Sequence, residues 1–163
     1  MNIINSKIKK RILIASFILG MAFLSSAQNT VYSIGLNPAL GGYVIQLTAD
    51  KKHGVVVETK DLNKGPYIYA EVSWAMRSRD HHTEEGAKFT DWRLPTKREL
   101  EALFFQKNAI GGFYDKDYEH VYFSSTSGKG VYTAWAQFFN TGEDGERPTS
   151  KDFPGYFRAV RDF

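Results

Sequence analysis

Residues 91–100 read Asp91-Trp92-Arg93-Leu94-Pro95-Thr96-Lys97-Arg98-Glu99-Leu100. They locate the beginning of a helix to one residue, because Thr96 and Glu99 have the spacing of a capping box. In that motif the Thr hydroxyl accepts from the Glu amide, and the carboxylate accepts from the Thr amide. Pro95 stops the helix from extending backwards. Leucine and phenylalanine then recur at helical spacing, so the pattern predicts a helix from about Lys97 to Gln106.

On both sides of this helix the chain shows short apolar runs bounded by glycine-containing turns, which is the pattern of β-strands. The predicted strands are residues 43–47, 55–58, 121–126, 131–139 and 156–161. The first two form a hairpin, with His53 exposed in its turn. We expect a second helix over residues 67–79 and a polar loop over residues 140–152. Together these elements predict an α+β domain.

The N-terminus has the three parts of a secretory signal peptide. Lys7, Lys9, Lys10 and Arg11 precede an apolar run at 12–23, and small residues end at Ala27. The apolar run is shorter than the roughly 20 residues of a membrane span. We therefore predict a signal peptide at 1–27 and a secreted, periplasmic or cell-envelope protein with no membrane span after cleavage. The alternative is an uncleaved anchor helix.

Removing the signal peptide changes the charge of the chain. Residues 28–163 carry 17 Lys and Arg against 18 Asp and Glu, a formal charge of −1. Nucleic-acid-binding domains usually carry a basic stripe, and this sequence shows none, so nucleic acid is not an expected partner. The length fits one domain. The chain has no cysteine, which excludes disulfides and a lipid anchor on cysteine.

The sequence predicts no catalytic site. Cysteine nucleophiles are excluded by composition, and the serines lack a Gly-x-Ser-x-Gly elbow. A dense group of potential metal ligands spans residues 80–85, where His81 and Glu85 would share a face of a helix. A solvated charged turn is the favoured interpretation of that group.

A second group of acids alternates at Asp115, Asp117 and Glu119, as at the start of a calcium loop. The sixth position of that loop requires Gly, and here it is His120. We therefore predict no cofactor and no metal site, with calcium as a weak alternative.

An ordered series of motifs covers nearly the whole chain after residue 28. It comprises a Gly-Gly hairpin at 41–54, Trp-Arg-Leu-Pro-Thr-x-x-Glu-Leu at 92–100, Tyr-Phe-Ser-Ser-Thr at 122–126, Ala-Trp-x-x-x-Phe-x-x-Gly at 134–142 and a final Val-Arg at 160–161. This series resembles the Legionella-collagen-like C-terminal domain family of bacterial surface and secreted proteins, which is similar to the C-type-lectin-like fold. The resemblance implies a single domain at 28–163 with small twisted antiparallel sheets and two helices. The structural motif residues that it implies are Trp74, Trp92, Arg93, Pro95, Thr96, Glu99, Trp135 and Arg161.

The resemblance does not carry lectin activity with it, because the metal-dependent sugar motifs of calcium-dependent lectins are absent. Sugar binding in general needs polar side chains beside an aromatic ring, and function usually lies in loops on a rigid scaffold. The predicted ligand-binding residues lie in two loops and are Tyr114, Asp117, Tyr118, Asn140, Glu143, Asp144 and Glu146.

We therefore expect an extracytoplasmic, non-catalytic binding or adhesion module with glycan as the favoured ligand. The alternatives are an envelope protein-interaction or structural domain and, third, a metal-dependent enzyme.

Overall fold

The structure, a computed structural model, describes residues 30–62, 64–116, 120–140 and 147–163, and Val31–Phe163 form one unit. The signal peptide predicted at 1–27 lies outside these residues. The described part contains eight strands and two α-helices. In chain order these are β1 Gly35–Asn37, β2 Gly42–Leu47, β3 Gly54–Val57, α1 Val72–Ala75, α2 Lys97–Ile110, β4 Val121–Ser127, β5 Thr133–Gln137, β6 Arg147–Ser150, β7 Gly155–Tyr156 and β8 Val160–Asp162.

The strands form two four-stranded sheets, so the α+β class is confirmed. The first sheet has the order β1-β2-β3-β8 and is antiparallel throughout. The second has the order β6-β5-β4-β7, and here the prediction of antiparallel sheets is wrong for one pair, because β7 runs parallel to β4. The apolar side chains form two clusters. One contains Leu100 and Leu103 of α2, and the other contains Trp92.

The helix predicted from residues 91–100 begins where expected. α2 starts at Lys97, the Glu99 amide donates to Thr96 Oγ1 at 3.3 Å, and the Thr96 amide donates to Glu99 Oε2 at 2.7 Å. The helix continues four residues beyond the predicted end and stops at Gly111, whose φ of 75° belongs to the left-handed region. Glycine tolerates that conformation because it has no Cβ.

The N-terminal hairpin is also confirmed. β2 and β3 pair antiparallel and enclose a turn in which the Thr48 hydroxyl and the Asp50 carboxylate bond to each other and to the turn backbone. His53 is exposed in this turn, as predicted. Three β-branched residues of β3, Val55 to Val57, are buried, which is typical of a strand covered on both faces.

The C-terminal segment differs from the single strand predicted over residues 156–161. It forms two strands in different sheets, since β7 joins the second sheet and β8 the first. Between them Phe157, Arg158 and Ala159 are fully buried. The segment therefore connects the two sheets. The alternation of residue types in the sequence does not reveal the break between the strands, because the three connecting residues are buried as well.

Two other segments correct the sequence-based prediction. The helix expected over 67–79 is a 3₁₀ turn at Tyr69–Glu71 followed by the single turn of α1. The loop expected over 140–152 contains β6, which pairs with β5 along four residues. Main-chain bonds of Tyr67 to Gly155 and of Tyr69 to Lys151 tie the first of these segments to a distant part of the chain.

Candidate functional site

The segment that connects α1 to α2 is anchored by a buried cluster of polar groups. Glu58 is fully buried, and one carboxylate oxygen accepts from both the amide and the hydroxyl of Thr83 at 3.0 Å. Its other oxygen lies 3.4 Å from Nδ1 of His82. A Cβ on Gly86 would lie 1.7 Å from the carboxylate. The close approach of the two segments therefore depends on glycine at position 86.

His82 connects this carboxylate to the aromatic core. Its Nε2 bonds the Met76 carbonyl at 2.9 Å, and its ring stacks on Trp92 with centroids 5.6 Å apart. Burial lowers the pKa of His82, but the hydrogen bonds to Glu58 and Met76 outweigh this effect and raise it above its ordinary value. A proton on Nδ1 would place the positive charge of the imidazolium 3.4 Å from the Glu58 carboxylate.

A second buried network holds the chain where α2 ends. Arg158 is fully buried and donates from Nε to Asp61 at 2.8 Å, and also to the carbonyls of Gly111 and Gly112. The Tyr122 hydroxyl donates to the other Asp61 oxygen at 2.7 Å. Burial raises the pKa of Asp61, although the charge of Arg158 opposes that shift. Perturbed groups of this kind often mark active sites. Here both carboxylate oxygens are committed to internal partners, which is the arrangement of a structural ion pair.

The Trp-Arg-Leu-Pro-Thr motif is scaffold in the structure. Arg93 donates to both oxygens of Glu99 at 2.8 Å and to both oxygens of Asp162. Arg93 Nη1 also donates to the Leu94 carbonyl at 3.3 Å, but the main partners of Arg93 are these two carboxylates. Burial alone would raise the pKa of Glu99, yet the bonds from Arg93 and Thr96 lower it. The motif therefore joins α2 to β8.

The remaining motif residues also make structural contacts, with one exception. Trp92 is 6% exposed and donates to the Gly86 carbonyl. The Pro95 carbonyl accepts from Ser125 of β4, Lys97 covers the Trp135 ring, and Arg161 pairs with Asp91. Trp74 differs from all of these, since it is 62% exposed and lies outside the core. Its indole meets only the edge of the His81 ring, at a centroid distance of 4.8 Å.

The predicted ligand loops are described only in part. Asp117, Tyr118, Glu143, Asp144 and Glu146 lie outside the described residues. Tyr114 is half-buried and stacks on Tyr156 with centroids 4.4 Å apart, so its ring belongs to the core. Asn140 is half-buried as well. The described ends of the two loops do adjoin, since the rings of Phe113 and Phe139 lie 4.8 Å apart.

The potential metal ligands of residues 80–85 do not form a cluster. The segment has a 3₁₀ turn at Arg79–His81, so His81 and Glu85 do not share a helical face. His82 points inward to Glu58, and Nδ1 of His81 contacts the Leu62 carbonyl. Across the part of the chain that the structure describes, no three His, Asp or Glu side chains come together as metal ligands. Of the three acids that alternate as in a calcium loop, Asp115 is described, whereas Asp117 and Glu119 lie outside the described residues.

An open cleft of about 440 Å³, here called the α1 cleft, is the site that sequence reasoning missed. One side is formed by residues in and around α1, and the other by two residues of the segment before α2; they are Tyr69, Ala70, Val72, Ser73 and Met76 on the first side, and Arg93 and Leu94 on the second. Ser73 is exposed beside it, and exposed Trp74 is the next residue. Apolar lining with a few polar groups is typical of ligand sites. The two aromatic residues Tyr69 and Trp74, close together in this segment, were the available signal.

A second cleft of about 430 Å³ lies between the β2–β3 turn and the C-terminal residues. Its two acids, Glu99 and Asp162, are both bonded to Arg93. Both acids of this cleft are therefore paired within the protein, and we take the α1 cleft as the candidate site.

Comparison of the chain with known protein families and with curated proteins finds no match. Within residues 30–62, 64–116, 120–140 and 147–163, no helix is long and apolar enough to cross a bilayer. The functional assignment therefore depends on the geometry of the molecule.

Proposed function

We propose that residues 28–163 form an extracytoplasmic, non-catalytic binding module whose α1 cleft binds glycan. The observation that carries the proposal is this open cleft, which is lined by the aromatic residue Tyr69 and by Ser73. Ser73 lines the cleft, and Trp74, the next residue in the chain, is 62% exposed. A flat aromatic face and neighbouring hydroxyl groups are what a sugar ring uses, because one face of a pyranose is apolar and its rim is polar.

The fold that we propose is the C-type-lectin-like fold, with membership in the Legionella-collagen-like C-terminal domain family. Its support is that the motif residues other than Trp74 make scaffold contacts. Trp92 is in the core, the Thr96 capping box is formed, and Arg161 pairs with Asp91. Export is part of the proposal, and intact mass of secreted protein tests it, since processed protein should begin at Gln28.

A cleft-filling substitution tests the site. Ser73→Trp adds an indole to an exposed position in the lining, so we expect a folded protein that has lost glycan binding. Asn108→Trp is the matched control, because it adds the same side chain to an exposed position near the end of α2. Surface changes of this kind usually alter stability by no more than about 0.5 kcal/mol. Melting curves of both variants establish that they are folded.

Binding is measured on a glycan array with the purified domain, followed by calorimetry on the strongest glycan. Equal glycan binding by both variants would show that the glycan site is not in the α1 cleft. Loss confined to Tyr118→Ala, Glu143→Ala or Asp144→Ala would place it on the predicted loops instead. If no glycan on the array binds, glycan binding is refuted. If the domain captures a purified envelope protein and Ser73→Trp abolishes that capture, the protein-interaction alternative is favoured.

A further inference from the structure

The α1 side of the α1 cleft is fixed at its two ends by different kinds of contact. At the first end, the Tyr69 amide donates to the Lys151 carbonyl at 3.0 Å, and the Tyr69 hydroxyl donates to the Ser124 carbonyl at 3.1 Å. At the second end is Met76, which lines the cleft and whose carbonyl accepts from His82 Nε2 at 2.9 Å. The second end is therefore attached through a side chain that titrates near neutral pH.

The opposite side of the cleft is attached to the first sheet. The amide and the carbonyl of Arg93 are both bonded to Val160 of β8, at 2.8 and 2.9 Å. Its guanidinium is held by Glu99 and Asp162. The width of the α1 cleft therefore depends on the side that ends at Met76.

Both ring nitrogens of His82 face oxygen atoms that accept protons. Nε2 faces the Met76 carbonyl, and Nδ1 lies 3.4 Å from Oε2 of Glu58. Nδ1 and Oε2 are buried, and neither has another polar partner among the described residues. Only the imidazolium carries a proton on both nitrogens. The surroundings of the ring therefore favour its charged form.

Loss of one proton would place a lone pair against an oxygen in either neutral tautomer. With the proton on Nε2, the lone pair of Nδ1 would face the Glu58 carboxylate in a buried site, and the ring would move away from Glu58 together with Met76. With the proton on Nδ1, the lone pair of Nε2 would face the Met76 carbonyl and release it. In both cases the Met76 end of the cleft would shift.

The charges around His82 set the pH at which this happens. Burial and, less strongly, the charge of Lys60 lower the pKa of His82, but the contacts with Glu58 and Met76 outweigh them and raise it above its ordinary value of 6.5. The ring is therefore charged below that value and loses its proton as the pH rises through the higher pKa of the folded protein.

Two other groups that carry or can carry charge lie close to His82. Arg161 stands 5.9 Å from the centre of the Trp92 ring on which His82 stacks, and it is paired with Asp91. His81, the preceding residue, contacts a main-chain carbonyl through Nδ1. Because His81 titrates in the same pH range, it provides a matched control.

Resting on the function proposed above, we propose that the protonation of His82 regulates glycan binding in the α1 cleft. The charged ring holds the Met76 carbonyl and keeps this side of the cleft in the position that binds, and loss of the proton displaces it. Binding is therefore stronger in mildly acidic than in mildly alkaline solution.

The first test needs no ligand. Of the three methionines in the chain, only Met76 lies in residues 28–163, so its methyl signal in the NMR spectrum of isotope-labelled domain reports on the cleft. From about pH 5 to about pH 9 this signal should shift with the same midpoint as the ring signals of His82. Loss of each signal in Met76→Leu and His82→Gln assigns it.

His82→Gln should abolish the shift of the Met76 signal, because the glutamine amide can donate to the Met76 carbonyl but does not titrate. His81→Gln, the matched control, should keep the shift. Glu58→Gln retains the histidine and removes the facing charge, so the midpoint should move to lower pH. This second variant decides the matter if melting curves show that His82→Gln is unfolded.

The second test measures affinity for the strongest glycan of the array by calorimetry. Wild type and His81→Gln should bind at least about fivefold more tightly at about pH 6 than at about pH 8, and His82→Gln should bind equally at both. Because linkage is reciprocal, saturating glycan should move the His82 midpoint to higher pH.

A Met76 signal that does not change while His82 titrates would overturn the proposal, as would a shift that His82→Gln retains. A glycan affinity that is the same at both pH values would also overturn it and leave the glycan site intact. If no glycan binds, the proposed function fails, and the regulation of binding fails with it.

Discussion

The adjacent residues His81 and His82 each contact a tryptophan, one at the surface and the other in the core. Trp92 stacks on His82 with planes 18° apart, and Trp92 is 6% exposed. Trp74 meets the edge of His81 at 74°, and Trp74 is 62% exposed. The same two residue types thus form a core contact in one pair and a surface contact in the other.

The partners of the two histidines explain the difference. His82 lies between the Glu58 carboxylate and the Met76 carbonyl, whereas Nδ1 of His81 contacts the Leu62 carbonyl. The Arg79–His81 turn ends between the two histidines, so the chain direction changes there. The comparison shows that the segment after α1 has a sealed side, which gives stability, and an open side, which we assign to binding.

The largest effect is expected from the buried pair. Trp92→Ala removes a core ring and the bond to the Gly86 carbonyl, and it should lower the free energy of unfolding by about 3–5 kcal/mol. Urea denaturation measures the change. A loss below about 1 kcal/mol would mean that the segment is not anchored by Trp92, and the distinction between a sealed and an open side would fail.

A smaller effect is expected from pH. The pKa of His82 is raised in the folded protein above the unfolded value of 6.5. The pair with Glu58 therefore contributes fully below that value, and its contribution is lost as pH rises through the higher folded pKa. The urea midpoint should be lower at about pH 8 than at about pH 6.

Glu58→Gln is the control for this pH effect, because the amide keeps an oxygen for Thr83 and removes the charge that faces His82. Lys60, which opposes the positive charge of His82, remains in both proteins. The variant should lose most of the difference between the two pH values. If Glu58→Gln keeps the full difference in urea midpoint, other titrating groups cause the pH effect, and the pair of His82 with Glu58 does not stabilise the sealed side.

The smallest stability effect is expected from the exposed pair. Trp74→Ala should change the free energy of unfolding by no more than about 0.5 kcal/mol, because the ring is mostly in water. It should also remove the fluorescence change that we expect when a glycan enters the adjacent cleft. A stability loss comparable to that of Trp92→Ala would show that Trp74 is a scaffold residue, as the family resemblance implies.

Features that depend on neighbouring residues were predictable from the sequence. The capping box of Thr96 and Glu99 spans three residues, and the β2–β3 hairpin follows from two β-branched runs around a glycine turn. The α2 end was missed by four residues, since a helix continues until a residue or contact stops it. Trp92, which the motif series places among the structural residues, is buried in the core.

The candidate site was not predictable in this way. The α1 cleft brings Tyr69 and Ser73 together with Arg93 and Leu94 from a separate segment, and no spacing in the sequence relates the two segments. Of the predicted ligand residues, Tyr114 is in the core, and five of the others lie outside the described residues. Composition indicated polar and aromatic loops, but not which rings are exposed.

By itself the sequence determined the α+β class, the start of α2, the hairpin and the aromatic anchor before the helix. Each of these depends on hydrogen bonds or side-chain periodicity within a few residues. Only the tertiary structure decided that residues 155–162 divide between two sheets, that Arg158 is buried against Asp61, and that Trp74 faces solvent. Those outcomes depend on partners up to about a hundred residues away along the chain. A charge is buried only where a partner compensates it, and a ring only where other residues cover it.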